Sequence, residues 1–190
     1  NKLLKLRLWE GESEFYTFFQ MLAQFGTESV LGQLIDYAIN PANEWVRSAL
    51  LSPIRSASDS TNGFTFFHLF FQSPKEDLIL KCLTLASKDE HQWLKAGLCT
   101  QIFAEGSIWN GYTCFHMAAR FSTPTVIASI LMASQKTPNK WLLASLQIKS
   151  IDFYQLIDTF CSPSGKSAVI QQISQPIPEH SYGLLPHVIS

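Results

Sequence analysis

Charged residues are scarce in this chain, and neither sign dominates. Lys and Arg together number 14 and Asp and Glu number 15, which leaves a formal net charge of −1 over 190 residues. Proteins that bind the phosphate backbone of nucleic acids carry clustered positive charge, so we expect no nucleic-acid partner. The hydrophobic content of 46% argues against intrinsic disorder and predicts a chain that buries a substantial core.

Long hydrophobic runs are absent as well. No apolar stretch approaches the roughly 20 residues needed to cross a bilayer, and residues 1–8 lack the apolar core and cleavage site of a signal peptide. The sequence therefore predicts a soluble, cytoplasmic protein without membrane insertion. Because the chain does not begin with Met, we expect it to be a fragment of a longer protein whose targeting signals lie elsewhere.

Cysteines are few and widely spaced. Cys82, Cys99, Cys114 and Cys161 form no Cys-x-x-Cys pair, the spacing that would indicate a zinc site or a redox motif. Four cysteines in a chain of this size do not make a disulfide scaffold. Because free Cys is among the most buried residue types, we expect reduced, buried thiols, with no metal site and no cofactor.

A repeat with a period of 48 residues is the strongest positive signal. Trp45, Trp93 and Trp141 stand 48 residues apart. An ungapped alignment of residues 15–50, 63–98 and 111–146 brings similar residues together: Thr17, Thr65 and Thr113; Phe19, Phe67 and Phe115; and Gln20, His68 and His116. A fixed period of this length indicates stacked supersecondary units, which usually present a surface to a partner.

Within each unit the apolar residues recur at helical spacing. In the third unit, residues 115–119 predict one helix and residues 126–131 a second. Thr123 and Pro124 suit the start of the second helix, because Thr can cap the first backbone amides and Pro is tolerated in the first turn. A further apolar group around each tryptophan, such as residues 141–146, predicts an additional short helix.

The opening of the third unit carries a family signature. Residues 111–119, Gly-Tyr-Thr-Cys-Phe-His-Met-Ala-Ala, resemble the opening of an ankyrin repeat, Gly-x-Thr-Pro-Leu-His-x-Ala-Ala, and residues 63–68 match its first half. The chain departs from the family where Phe or Cys replaces Pro, and in its period of 48 rather than about 33 residues. The resemblance implies an all-α, ankyrin-like solenoid of about 3.5 units, each a helix-turn-helix plus an extra short helix.

The period also divides the chain into segments. We expect residues 1–14 to be the end of a preceding unit or an N-terminal cap. Residues 15–62, 63–110 and 111–164 form the first, second and third repeats. Residues 165–190 form a degenerate fourth repeat with a C-terminal cap or tail, where Pro176 and Pro178 oppose a second helix.

The recurring residues of each unit have structural explanations. Glycine permits a turn with positive φ, threonine can satisfy free amides at a helix start, and histidine can bond to that threonine and to the neighbouring loop. We expect the tryptophans to pack between neighbouring units. The residues of this structural motif are Gly63, Thr65, His68, Gly111, Thr113, His116, Trp45, Trp93 and Trp141.

Catalytic readings of the sequence are weak. Cys114 and His116 are two residues apart on a predicted helix and therefore point in different directions, and no third group is placed to orient them. Residues 165–167, Gly-Lys-Ser, resemble the end of a phosphate-binding loop, but Phe160 stands where that motif requires Gly. We therefore predict no enzymatic activity and no catalytic residues.

The ankyrin resemblance implies a binding surface. In that fold the positions after the motif histidine, and those one turn later, face a concave groove. Several are apolar here, which is typical of a partner site, although burial under the additional helix or the tail is an open alternative. Trp109 and Asn110, in the loop before Gly111, are further candidates. The candidate partner-binding residues are Met21, Gln24, Phe25, Leu69, Gln72, Ser73, Met117, Arg120, Phe121, Trp109 and Asn110.

These inferences predict a monomeric protein-protein interaction module with a concave, partly apolar helical surface and an unidentified protein partner. Long units of this kind resemble those of effectors that intracellular bacteria deliver into host cells, which implies the host cytosol as a possible setting. Two alternatives stay open. One is a HEAT- or armadillo-like scaffold, whose period is about 40 to 47 residues, although the Thr-x-x-His opening argues against it. The other is a substrate-recruiting region of an enzyme whose catalytic domain lies outside this fragment.

Overall fold

The computed structural model describes residues 18–55, 61–73, 75–136 and 139–148, and the regular secondary structure of these ranges is entirely helical. The predicted all-α class is therefore confirmed. The α-helices are α1 Phe18–Phe25, α2 Glu28–Ile39, α3 Glu44–Leu51, α4 Phe66–Phe70, α5 Glu76–Ala86, α6 Gln92–Cys99, α7 Cys114–Phe121, α8 Pro124–Ser134 and α9 Lys140–Gln147. The expectations for residues 1–14, for the fourth repeat at 165–190 and for Cys161 lie outside the described residues.

Helices recur at a fixed interval along the described chain. α1, α4 and α7 begin 48 residues apart, and so do α2, α5 and α8, and α3, α6 and α9. We call α1–α3, α4–α6 and α7–α9 the first, second and third triplets. One-turn 3-10 helices at Pro41–Asn43 and Asp89–His91 precede α3 and α6. The last helix of each triplet is the short helix predicted around each tryptophan.

Corresponding helices pack side by side across the triplets. α1 contacts α4, which contacts α7, and α2 contacts α5, which contacts α8. A continuous group of buried apolar side chains runs through all three triplets. Its largest fully buried members in α4 and on either side of it are aromatic, namely Phe64, Phe66, Phe67, Phe70 and Phe71. Full burial of a Phe side chain is worth roughly 2 to 3 kcal/mol, so these rings are a main source of apolar stabilisation.

Threonine caps fix where two of the second helices begin. The Thr123 hydroxyl accepts a hydrogen bond from the Val126 N–H at 3.3 Å, and Pro124 occupies the first turn of α8. The Thr27 hydroxyl caps α2 in the same way, through the Val30 N–H at 3.4 Å. The sequence reading identified the first cap and missed the second.

Each tryptophan packs against the first helix of its own triplet. The ring centroids are 6.2 Å apart for Phe19 and Trp45, 6.5 Å for Phe67 and Trp93, and 6.3 Å for Phe115 and Trp141. These aromatic contacts join the third helix to the first helix of the same triplet, whereas the sequence predicted that the tryptophans pack between neighbouring units. One contact does cross to the next triplet, because the Arg47 guanidinium lies over the Trp93 ring at 5.5 Å.

None of the helices in the described ranges has the length and apolar character that crossing a bilayer requires.

Candidate functional site

The glycines of the sequence motif lie in turns that join one triplet to the next. The Gly63 N–H donates to the Ile54 carbonyl at 2.9 Å, and the Ile54 N–H donates to the Phe64 carbonyl at 2.7 Å. The same two bonds recur 48 residues later, at 2.7 and 2.8 Å. Gly63 and Gly111 both have a φ of 83°, a conformation in which a side chain is strained. This turn directs the chain into the next helix.

The threonine and histidine of the motif form a reciprocal cap. The Thr65 hydroxyl accepts from the backbone N–H of His68, and Nδ1 of His68 accepts from the Thr65 N–H at 3.0 Å. Thr113 and His116 repeat this arrangement at the start of α7, with the N–H to Nδ1 distance at 3.2 Å. Because Nδ1 accepts, Nε2 carries the proton of each neutral ring. Both residue pairs thus satisfy backbone amides that a helix start leaves free.

In two triplets the far end of the side chain at the histidine position contacts the backbone that follows the third helix. His116 Nε2 donates to the Ile148 carbonyl at 2.8 Å. In the first triplet Gln20 occupies the histidine position, and its Nε2 donates to the Ser52 carbonyl at 3.2 Å. Ser52 and Ile148 both come directly after the third helix of their triplet. In the first and third triplets a buried N–H at this position therefore links the first helix to the connection that leaves the triplet.

Burial controls the charge of His68. Its side chain is fully buried, and desolvation lowers its pKa from 6.5 to about 4. The carbonyls of Tyr112 and Thr100 lie close enough to raise this pKa and offset part of the desolvation, although neither reaches hydrogen-bonding geometry at Nε2. The imidazole is neutral at physiological pH, which matches its role as an acceptor in the cap.

The three cysteines that the structure describes, Cys82, Cys99 and Cys114, are poorly placed for nucleophilic chemistry. Burial raises the pKa of Cys82 to about 12 and that of Cys99 to about 11. Desolvation also raises the pKa of Cys114, whose Sγ donates to the Leu98 carbonyl at 3.2 Å. Protonated thiols are weak nucleophiles. Cys114 and His116, two residues apart, bond to different backbone carbonyls.

Among the residues that the structure describes, no three His, Cys, Asp or Glu side chains are grouped so that they could hold a metal ion.

Two candidate partner-binding residues are part of the core. Leu69 is 2% exposed and Met117 is fully buried, so the expectation that they face a partner is wrong. The physical reason is the close packing of α4 against α7. Gln72, which follows α4, also helps to cover Met117. Its Nε2 lies 3.7 Å from the Met117 Sδ, and the residue is itself half-buried. Ser73 is half-buried too, and its carbonyl accepts from the Ser122 hydroxyl at 3.3 Å.

The other candidates are distributed between two places. Met21 is half-buried and Gln24 and Phe25 are exposed at the end of α1. Arg120 and Phe121 are exposed at the end of α7. The structure brings only this second pair together with the loop that precedes α7.

Trp109 organises the residues at the end of α7. It is largely buried, and its ring centroid lies 5.9 Å from that of Phe121 and 5.9 Å from that of Tyr112. The Arg120 guanidinium lies over Trp109 at 4.6 Å and over Phe121 at 5.6 Å. Trp109 is therefore a platform beneath Arg120 and Phe121 rather than a freely exposed loop residue, which corrects the expectation drawn from the sequence.

Asn110 has a structural part in the same loop. Although exposed, its Oδ1 accepts from the Ala104 N–H at 3.2 Å. The Ser107 N–H donates to the Ala104 carbonyl at 3.0 Å, and the Trp109 N–H donates to the Ser107 hydroxyl at 3.2 Å. Gly106 completes the turn with a φ of 76°. These bonds fix the conformation of the loop tip.

The loop presents two apolar side chains that the sequence reading missed. Phe103 is 74% exposed and Ile108 is 73% exposed. The available signal was their position on either side of Glu105-Gly106, in a segment where turn residues predict an exposed loop. We call Phe103, Ile108, Trp109, Arg120 and Phe121 the loop–α7 surface.

The comparisons with known proteins bear on the whole chain. No protein-family model, no curated protein and no solved structure matches it.

Proposed function

We propose that this chain is a divergent ankyrin-like solenoid that binds a protein partner through the loop–α7 surface. The observation that carries the proposal is the exposure of Phe103 and Ile108 on a loop whose tip is held by hydrogen bonds. Large apolar side chains exposed at fixed positions favour binding, because little conformational entropy remains to be lost. Aromatic residues and Arg are also enriched at protein interfaces.

Corresponding helices pack together at a 48-residue interval, as in either kind of solenoid. Two local features support an ankyrin-like arrangement over a HEAT- or armadillo-like one. The turns at Gly63 and Gly111 share one hydrogen-bond pattern, and the Thr-x-x-His cap follows each turn. The family resemblance rests on this Gly-x-Thr-x-x-His opening, so its recurring geometry favours the ankyrin-like reading. The resemblance implies an effector that acts in a host cell and binds a host cytosolic protein.

The proposal is tested by a pair of matched double variants. Phe103→Ser with Ile108→Ser removes the exposed apolar groups of the loop. Tyr37→Ser with Met132→Ser removes two comparably exposed apolar side chains on α2 and α8. Exposed substitutions of this kind usually change stability by no more than about 0.5 kcal/mol, so both proteins should melt near the wild-type temperature.

Each immobilised protein is then used to capture partners from a eukaryotic cytosolic extract, and captured proteins are quantified by mass spectrometry. We expect the loop variant to lose the proteins that the wild type enriches and the α2/α8 variant to keep them. Undiminished capture by the loop variant, at an unchanged melting temperature, would count against the proposed surface.

A further inference from the structure

Arg120 is held in place on the loop–α7 surface without a carboxylate partner. Its guanidinium lies over the rings of Trp109 and Phe121. In the described part of the chain the ion pair within 4.0 Å joins Lys81 and Asp36, and a second carboxylate, that of Glu90, lies 3.4 Å from the His91 Nε2. The arginine therefore carries an exposed positive charge that no described carboxylate neutralises.

The position of this guanidinium over aromatic rings has a chemical consequence. A planar guanidinium donates its N–H groups within its own plane, and their fork matches the two oxygens of a carboxylate. Contact with the rings restrains the long side chain before a partner arrives, which lowers the entropy lost on binding. The site is thus prepared for an anionic group that approaches the edge of the guanidinium.

The distribution of acidic residues favours the same kind of partner. The helices α1, α4 and α7 contain no Asp or Glu. The described carboxylates lie instead on α2, α3, α5 and the second 3-10 helix, apart from Glu105 in the loop. The second helices α2 and α5 carry four of these carboxylates, so an acidic segment would meet less repulsion along the first helices than along the second helices. Charge complementarity points to Arg120 as its contact.

We infer that the partner segment is an acidic–apolar peptide. An Asp or Glu carboxylate accepts hydrogen bonds from the Arg120 guanidinium, and neighbouring aliphatic or aromatic side chains pack against Phe121, Ile108 and Phe103. This inference rests on the proposed function, which supplies the surface, and it adds the chemistry of the segment that binds there.

The inference is tested by selecting peptides rather than by searching for a natural partner. A library of random, unphosphorylated peptides displayed on phage is selected against the 190-residue chain, against Arg120→Glu and against Lys88→Glu. Lys88 is an exposed cation in the turn after α5, so its charge reversal is the matched control. We expect wild type and Lys88→Glu to select Asp or Glu beside Leu, Ile, Phe or Trp. Arg120→Glu should lose the acidic preference and favour Lys or Arg.

Affinity measurements on one selected peptide complete the test. Arg120→Gln should weaken binding about tenfold, because a charge-assisted hydrogen bond is worth roughly 1.5 kcal/mol. Added salt should weaken peptide binding by the wild type more than it weakens peptide binding by Arg120→Gln.

The outcomes separate this inference from the proposed function. Peptides that require Phe103 and Ile108 but show no acidic preference, or an acidic preference that survives Arg120→Glu, overturn the inference and leave the surface standing. Recovery of no peptide, or of peptides indifferent to the Phe103→Ser/Ile108→Ser variant, contradicts both.

Discussion

The buried imidazole of His68 makes stability depend on pH, and the first triplet supplies the substitution that isolates this effect. Gln20 occupies the equivalent position, where its Nε2 donates to the Ser52 carbonyl, and Gln is also a favoured partner in a reciprocal helix cap. His68→Gln should therefore preserve a side-chain acceptor for the Thr65 N–H while removing the titrating group.

The size of the effect follows from the change in pKa. The pKa of His68 falls from 6.5 to about 4 on folding because burial penalises the charged ring. Between these values the unfolded chain binds more protons than the native chain, so the free energy of unfolding rises with pH. The stabilisation is fully present above about pH 6.5 and is lost as the pH falls towards 4, with a maximal slope of about 1.4 kcal/mol per pH unit. Between about pH 7.5 and 4.5 the loss from this residue is roughly 2 to 3 kcal/mol.

The assay is urea unfolding of wild type and His68→Gln, followed by tryptophan fluorescence at several pH values in that interval. Because all other titrating groups are common to both proteins, the difference between their free energies of unfolding isolates the contribution of His68. We expect the wild type to lose roughly 2 to 3 kcal/mol more than the variant on acidification. Parallel pH profiles for the two proteins would refute the reasoning.

Two further predictions concern backbone geometry and thiol burial. Gly63→Ala should cost about 2 kcal/mol or more in urea unfolding, because φ is positive and the added Cβ would lie 3.1 Å from the Phe103 carbonyl oxygen. Gly106→Ala should cost only about 1 kcal/mol, because its φ is also positive but no atom lies within 4 Å of the added Cβ; an equal or larger loss at Gly106 would contradict this account. Cys82, whose pKa burial raises to about 12, should resist alkylation until denaturant is added, as peptide mapping by mass spectrometry would show; rapid labelling of the folded protein would contradict its burial.

Local interactions were the part of the structure that the sequence predicted best. The Thr65 and His68 cap depends on residues three positions apart, and a helix start brings such residues together whatever the rest of the fold does. Thr123 and Pro124 likewise mark the start of α8 through contacts within one turn. The helical class followed from apolar spacing for the same reason, since residues three and four positions apart share one face of a single helix.

The partner-facing side of each helix was harder to predict, because it depends on what packs against it. Met117 and Phe121 both lie on α7 at positions that the ankyrin resemblance assigned to the groove, yet Met117 is fully buried and Phe121 is 47% exposed. The close approach of Gln72 to Met117 comes from a residue 45 positions away, and no local pattern encodes it. The same limit applies to Trp109, which Arg120 covers from the next helix.

Equivalent chemistry carried by a different side chain was also missed. The alignment placed Gln20 beside the two histidines, but sequence alone did not show that an amide could replace an imidazole as donor to the backbone after the third helix. Both side chains can accept on one polar atom and donate from another. The equivalence of Gln20 and His116 is visible in the structure, where both donors reach the carbonyl that follows the third helix.

Site-directed photo-crosslinking tests the central claim most directly. A photoreactive phenylalanine analogue is placed at position 103, on the loop–α7 surface, or at position 132, which is similarly exposed on α8. Each protein is irradiated in the same cytosolic extract, with excess unlabelled wild type or the Phe103→Ser/Ile108→Ser variant as competitor. We expect a specific crosslinked protein from position 103 alone, which the wild type suppresses and the loop variant does not. Equal crosslinking from both positions, or equal suppression by both competitors, would contradict a binding role for this surface.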